Sequence, residues 1–529
     1  MVNLRLILIL LLGVVLSLSA QQATVIPQPA SIQEMDGFLT VRQAEAQQWA
    51  QATTTRLPQT PHLKVTITPT GLGAEGYSLQ VTRKGVQVQA ATQLGAYYAL
   101  QTLRQLLPIQ VLTAVSTDKK LTIPLVCIQD QPRFQYRGFM LDVSRHFHPV
   151  TEIKRLLDLM AFYKMNRFHW HLTDDDGWRA EIKKYPKLTT VGARSDSCRM
   201  NDMQRGLYYQ KNYGPYFYTQ QEMRDVVAYA QERGIEVVPE IDMPGHFCAA
   251  LAAYPEFSCD PQASHAVVDG HGGIYEDVLN VASPKAVEFA KDILNELCEI
   301  FPYPYIHIGG DECPTSAWER NEQCQEVIAA NHLKNPRQLQ QRFIKQIHDF
   351  LQTKGKKLYV WNECITEEGA DVELMQQTGA TVFSWYPSRK AARLAAQLKM
   401  PTVVSDIHSE DGSYYINRRP SAAEGEPKGA GNGSDTVEKT YTYVPVPIDL
   451  PAEQQPYYIG VQATFWSEWV SDSLFLEYLA LPKLMAVAES GWTPESQKSW
   501  PSFRCRMTTH TQYLDAWGYN YSKHWMLSK

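Results

Sequence analysis

The sequence predicts an α/β fold: a (β/α)8 TIM barrel preceded by a small α+β domain. Three observations carry this reading. From residue 133 onward, short apolar runs alternate with amphipathic helical patterns. Eight such runs occur before the chain ends. They are apolar along most of their length rather than every second residue, as strands covered on both faces are. A doubly wound open sheet is the alternative for the same rhythm.

The eight runs are 136–144 (YRGFMLDVS), 166–173 (NRFHWHLT), 235–242 (IEVVPEID), 305–309 (YIHIG), 358–362 (LYVWN), 381–386 (TVFSWY), 402–407 (TVVSDI) and 458–466 (YIGVQATFW). Helical segments fall between them. In 151–165, Ile153, Leu156, Leu157 and Met160 follow the i, i+3, i+4, i+7 spacing of one helix face. Thr219 and Glu222 have capping-box spacing. Ser283-Pro284 supplies an N-cap and a first-turn proline for the next helix. Residues 21–132 read differently. Alternating segments at 64–69 and 77–81 precede one helix near 92–107, an α+β pattern, so domains are expected at 21–132 and 133–529. The stretch 420–440 is rich in Gly, Pro and Ser and reads as a mobile loop on the functional face.

Residues 1–20 read as a secretory signal peptide: Arg5, an apolar run over 6–16, then Ser17, Ser19 and Ala20. The run is too short for a membrane span, and the mature chain is expected to lack one. Export to periplasm or medium follows, with a retained N-terminal anchor as the alternative. The net charge is -6, from 50 basic and 56 acidic residues without a polybasic block, which argues against nucleic acid as a partner. The 12 Trp and 28 Tyr suit stacking on sugar faces or the filling of a large core. Nine cysteines are too few for a disulfide framework, and the odd count leaves one unpaired. Cys248 with Cys259, or Cys313 with Cys324, are the candidate short bridges. No CxxC spacing points to a zinc cluster.

In a barrel of this kind, chemistry gathers at the C-terminal strand ends. Those ends deliver Asp142, Arg145, His169, His171, Asp174, Asp175, Glu240, Asp242, His246, Asp311, Glu312, Trp361, Glu363, Trp385, Asp406, Trp466 and Glu468. The adjacent pair Asp311-Glu312 follows Gly309-Gly310, where the backbone can turn sharply. Ordinary glycosidases set two carboxylates across the scissile bond, about 5 Å apart for retention and roughly 6.5–9.5 Å for inversion. Neighbours at a strand end are poorly placed for that, so the two acids suit different tasks.

These motifs resemble glycoside hydrolase family 20, the β-N-acetylhexosaminidases. The resemblance rests on 307–312 (HIGGDE), 142–147 (DVSRHF), 171–179 (HLTDDDGWR), 239–246 (PEIDMPGH) and 466–468 (WSE), in the family's order on five strands. It implies an exo-acting enzyme that removes terminal N-acetylglucosamine or N-acetylgalactosamine from glycans with retention. The nucleophile would be the substrate's own 2-acetamido oxygen, with an oxazolinium intermediate. Glu312 would be the general acid and then base, and Asp311 would orient the acetamido N–H. Asp174 and His246 match a pair that supports the glutamate. Arg145 matches the arginine on the 3- and 4-hydroxyls, and Glu468 the glutamate on the 4- and 6-hydroxyls. Trp361, Trp385 and Trp466 match the indoles around the sugar. Tyr415 matches the tyrosine that donates to the acetamido carbonyl, with Tyr414 one register away. Two departures stand out. Asn417 replaces the usual aspartate, and Asp176 replaces the commoner glutamine; both bear on the choice between sugar epimers. No cofactor is implied, since neither a dinucleotide fingerprint nor a P-loop occurs. A metal-dependent amidohydrolase using His169 and His171, and a glycan-binding protein without activity, are the rival readings.

Overall fold

A computed structural model of the chain describes residues 24–113, 119–270, 273–407, 411–420, 427 and 433–527. The expected signal peptide lies outside the described residues, as does most of the 420–440 loop. The described end of that loop contains a short helix, Val437–Thr442. Among the described residues no helix is long and apolar enough to cross a membrane. The chain forms two compact units that divide at Gln131 and Pro132, with 26–28 and 53–55 belonging to the second unit.

The first unit is a five-stranded sheet in the order Ser31–Arg42, Lys120–Asp130, Tyr77–Thr82, Gly85–Ala90, Leu63–Ile67. Tyr77, Leu79 and Val81 alternate inward along one strand, the period expected of a half-covered sheet. The helix Gln93–Leu106 packs on it, started by Thr92, whose side chain accepts from Gly95 N at 3.1 Å.

The second unit is a closed barrel of eight parallel strands. In chain order they are Tyr136–Asp142, Arg167–His171, Glu236–Glu240, Tyr305–His307, Lys357–Trp361, Thr381–Ser384, Thr402–Val404 and Tyr458–Phe465. Strand eight closes on strand one from Gly460↔Tyr136 to Phe465↔Leu141. All eight expected strands are present, and each ends one to three residues earlier than its apolar run suggested. The fourth shows why. Gly309 and Gly310 adopt φ of 65° and 87°, which takes the backbone out of the ladder. A Cβ on Gly309 would lie 1.8 Å from Asp242 Oδ1, so only glycine fits there.

The helix Val150–Phe162 buries Ile153, Leu156, Leu157 and Met160. The Thr219–Glu222 capping box is formed in full. Ser283 occupies the N-cap of Pro284–Ile300, but its hydroxyl makes no cap bond. The first-turn proline has already removed one of the N–H groups that need a cap. Tyr136, Met140, Val238, Tyr359, Phe383 and Val403 fill the barrel interior and support the indoles above them. All nine cysteines are unbridged, so neither short pairing suggested by the sequence is formed. Cys248 Sγ turns to Asp277 O and Cys313 Sγ to Pro314 O, at 3.8 and 3.9 Å.

Candidate active site

The C-terminal strand ends gather the expected residues around His246. Its Nδ1 lies 3.1 Å from Asp174 Oδ1 and 3.0 Å from Asp175 Oδ2. Its Nε2 lies 3.5 Å from Glu312 Oε2 and 3.8 Å from Asp311 Oδ2. One imidazole therefore joins the aspartates after strand two to the acid pair after strand four. Burial opposes a charge on His246, but Asp174 and the carboxylates around it outweigh burial and raise its pKa well above the usual value. His246 is an imidazolium facing Glu312. Both are held in left-handed backbone, His246 at φ 49° and Glu312 at φ 42°, which costs a non-glycine residue about 1–2 kcal/mol.

Glu312 and Asp311 differ in setting. The Glu312 side chain is 48% exposed to the cleft, against 14% for Asp311. Burial lifts Asp311 to about 6, with Glu240 and Glu312 adding to it and His246 working against it. Asp242 stands close to Asp311 and His246. Burial first, then the charge of Asp311, raises it well above the carboxylate range. Two buried carboxyls this close do not both ionise. Asp242 keeps the proton and Asp311 the charge, while Gly310 N donates to Asp242 Oδ1 at 3.1 Å.

Arg145 is held by three carboxylates: Asp142 at 3.3 Å, Asp174 at 2.9 Å and Asp176 at 3.2 Å. Its guanidinium lies over Trp466, 5.2 Å from the ring centre. Burial would raise Asp174, but Arg145 and His246 hold it well below the usual range. Asp176 loses that contest. Burial raises it to about 7, with Arg145 opposing and Asp174, Asp175 and Asp142 adding to the rise. Its other oxygen accepts from Gly270 N at 2.6 Å. The folded pKa lies above the unfolded one, so the protonated form is favoured by folding and stability falls as pH rises toward 7. Asp176→Asn should remove this penalty. Melting temperature measured from pH 5 to 8 should decline less in the variant than in the parent; an equal decline would refute it.

The indoles form a wall. Ring centres are 6.1 Å apart for Trp361 and Trp385, 5.8 Å for Trp361 and Trp466, and 6.0 Å for Trp385 and Trp466. Trp361 is fixed from below by its Nε1, which donates to Glu240 Oε1 at 2.8 Å. Glu240 is the buried hub of the barrel floor, contacted by His169, His171 and His307. Burial would raise it, but these imidazoles, His307 first, hold it well below the usual range. His171 has both nitrogens engaged, by Glu240 and by Asp174.

Tyr415 completes the wall, its ring edge-on to Trp385 at 5.4 Å. The segment 414–416 adds to the end of strand eight, with Ile416 N donating to Thr464 O and Thr464 N to Tyr414 O, at 3.1 and 2.9 Å. Alternation along that extension turns Tyr415 to the indoles and Tyr414 to Tyr443. Asn417 Nδ2 donates to Tyr415 Oη at 3.1 Å and to Trp466 O at 2.6 Å.

Four polar atoms around this wall are buried without a hydrogen-bond partner among the described residues: Asp311 Oδ1, Asn417 Oδ1, Trp466 Nε1 and Glu468 Oε2. Buried polar groups are normally satisfied. Three acceptors and one donor beside three indoles suit a ligand with hydroxyl and amide groups on a flat apolar face. Burial, opposed by Arg145, lifts Glu468 to about 7. A cleft of ≈ 1080 Å³ opens beside Glu312, bounded by Ile274, Glu363, Trp385 and Tyr386. A smaller apolar cavity of ≈ 230 Å³, near Leu156 and Leu476, is lined by none of these site residues. The structure thus gathers Arg145, Asp174, His246, Asp311, Glu312, Trp361, Trp385, Tyr415, Trp466 and Glu468 at one rim, whereas Asp406, also read at a strand end, is taken up by Ser384, Arg389 N and Tyr443. Asp175, Asp242 and Glu240 also belong to the site, and the sequence marked them only by their positions at strand ends.

A parallel barrel whose rim sets an acid pair around one imidazole, beside an indole wall, is an arrangement suited to a barrel glycosidase. The chain belongs to glycosyl hydrolase family 20. Residues 134–495 match "Glycosyl hydrolase family 20, catalytic domain" and residues 22–131 match "Glycosyl hydrolase family 20, domain 2". A β-hexosaminidase of Porphyromonas gingivalis is 40% identical over 451 residues, 85% of this chain and 55% of that protein. The chain thus spans about half the length of that relative. A β-hexosaminidase of Vibrio furnissii is 34% identical over 497 residues, covering 89% of this chain and 77% of the other. Among solved structures, the exo-β-N-acetylglucosaminidase of Vibrio harveyi, in complex with N-acetylglucosamine, aligns with a TM-score of 0.80 at 30% identity. It covers 95% of this chain and 79% of that one.

Proposed function

We propose that this chain is an exo-acting, retaining β-N-acetylhexosaminidase that removes terminal N-acetylglucosamine or N-acetylgalactosamine from glycans, and that it acts outside the cytoplasm after export. The observation that carries the reading is the unequal acid pair on one imidazolium. Half-exposed Glu312 faces the cleft, and charged Asp311 lies deeper with a free Oδ1. An acid in the first setting can protonate a leaving oxygen. A buried carboxylate in the second suits an amide N–H and the positive charge that grows beside it.

In this scheme Glu312 protonates the glycosidic oxygen while the acetamido oxygen attacks the anomeric carbon. Asp311 accepts the acetamido N–H and stabilises the oxazolinium ion. The imidazolium of His246 steadies the carboxylate left on Glu312, which next takes a proton from the attacking water. Two displacements give net retention. Arg145 and Glu468 would receive the outer hydroxyls, Tyr415 the acetamido carbonyl, and the indoles of Trp361, Trp385 and Trp466 the sugar face. An exo preference is supported by the buried Arg145 end of the site, crowded by Asp142, Asp174 and Asp176.

Release of the aryl group from aryl β-N-acetylglucosaminide, the matching N-acetylgalactosaminide and plain β-glucoside tests the proposal. Cleavage of the acetamido sugars alone, blocked by a thiazoline mimic of the intermediate, is expected. Equal cleavage of the plain glucoside would mean a protein nucleophile and would overturn the role given to Asp311.

A further inference from the structure

Two cysteines far apart in sequence meet behind the catalytic loop. Cys259 follows the short turn Pro255–Phe257, on the long connection after strand three. Cys324 lies in the helix Glu322–Ala330, which follows the Asp311-Glu312 loop. Asn321 joins the two backbones through one side chain. Its Nδ2 donates to Cys259 O and its Oδ1 accepts from Cys324 N, both at 2.9 Å. The Cys324 thiol donates to Asn280 Oδ1 at 3.5 Å, and the two thiols stand near enough to act on each other, the pairing raising Cys259 and lowering Cys324. Cys324 is fully buried and Cys259 partly exposed.

We propose that Cys259 and Cys324 are a covalent modification site, joined as a disulfide when the protein meets an oxidising, disulfide-containing environment. The bond ties the connection after strand three to the helix behind the acid pair. A close pair of sulfurs on two braced backbones is what the short, directional S–S bond requires. Asn321 supplies that bracing. The pairing crosses both of the short loops that sequence spacing suggested, because it depends on the fold rather than on separation along the chain.

The chemistry balances as thiol–disulfide exchange with a small disulfide such as oxidised glutathione. The more accessible Cys259 loses its proton against its contact with Cys324 and against burial, which both raise its thiol, so this step is slow and quickens at alkaline pH; its thiolate attacks the reagent and expels one thiolate. Cys324 then attacks the Cys259 sulfur and expels the second. Two protons and two electrons leave the protein, and one disulfide becomes two thiols. Closing so long a loop restricts the unfolded chain and raises stability.

The full-length chain, equilibrated with oxidised glutathione and alkylated, should give one cross-linked peptide pair holding Cys259 and Cys324. Its intact mass should fall by about 2 Da and seven of its nine thiols should stay titratable. Reductant should lower the melting temperature by about 3–8 °C. The double variant Cys259→Ser/Cys324→Ser should keep its turnover and show no response to reductant. Alkylation of both cysteines in the oxidised protein would overturn the proposal without needing any variant. A bridge to Cys248 or Cys313 instead would also overturn it, as would an unchanged reductant response in the double variant. None of these readings depends on the activity proposed above.

Discussion

Glu312→Gln should lower turnover on glycans by about 10²–10⁴-fold and leave substrate binding within a few-fold. The amide keeps the size of the side chain and its place beside His246 but has no proton to give. The loss should depend on the leaving group. A glycan alkoxide needs the proton, whereas a nitrophenolate departs nearly unaided, so the deficit should be several-fold smaller on the aryl substrate. Since the Glu312 side chain is half exposed, no loss of stability is expected. Turnover within a few-fold of the parent on both substrate types would mean that Glu312 is not the acid, and would revive a glycan-binding role.

Asp311→Asn should be nearly as severe on acetamido sugars, by about 10²–10³-fold, because the amide cannot balance the charge of an oxazolinium ion. The pH profile separates this role from a merely structural one. Asp311 must be ionised to act, and burial lifts it to about 6, so the parent should lose activity as pH falls through that value. The residual activity of Asp311→Asn should lack that acidic limb. The variant also removes the charge that helps raise Asp242, so keeping that buried carboxyl protonated at pH 8 costs less and the melting temperature there should match or exceed the parent's. Undiminished cleavage of N-acetyl substrates would contradict the substrate-assisted scheme.

The barrel was legible because its eight strands are apolar runs that end in polar residues, a local pattern set by burial on both faces. Strand lengths were less so. Gly309 and Gly310 leave the ladder through positive φ, and an apolar Ile308 does not announce that. The site list was legible for the same reason as the strands, since chemistry collects at one rim. What the rim residues do to each other was not. Asp242 and Asp311 divide one proton because the turn at Gly309 brings them together. Tyr415 rather than Tyr414 faces Trp385 because residues 414–416 extend strand eight, a pairing between segments about fifty residues apart. Cys259 meets Cys324 for a similar reason: both positions are fixed by loops that only the closed barrel brings side by side.

His246 and Glu312 sit in backbone shapes that a glycine or an asparagine would occupy with less strain. At both positions the substitutions that most relax the fold are also ones that discard the side chain. Drift under selection for robustness alone would therefore erode this centre first, and the descendants would be sturdier and silent. A histidine and a glutamate held in such backbone mark the point where this fold gives up ease for the sake of two side chains.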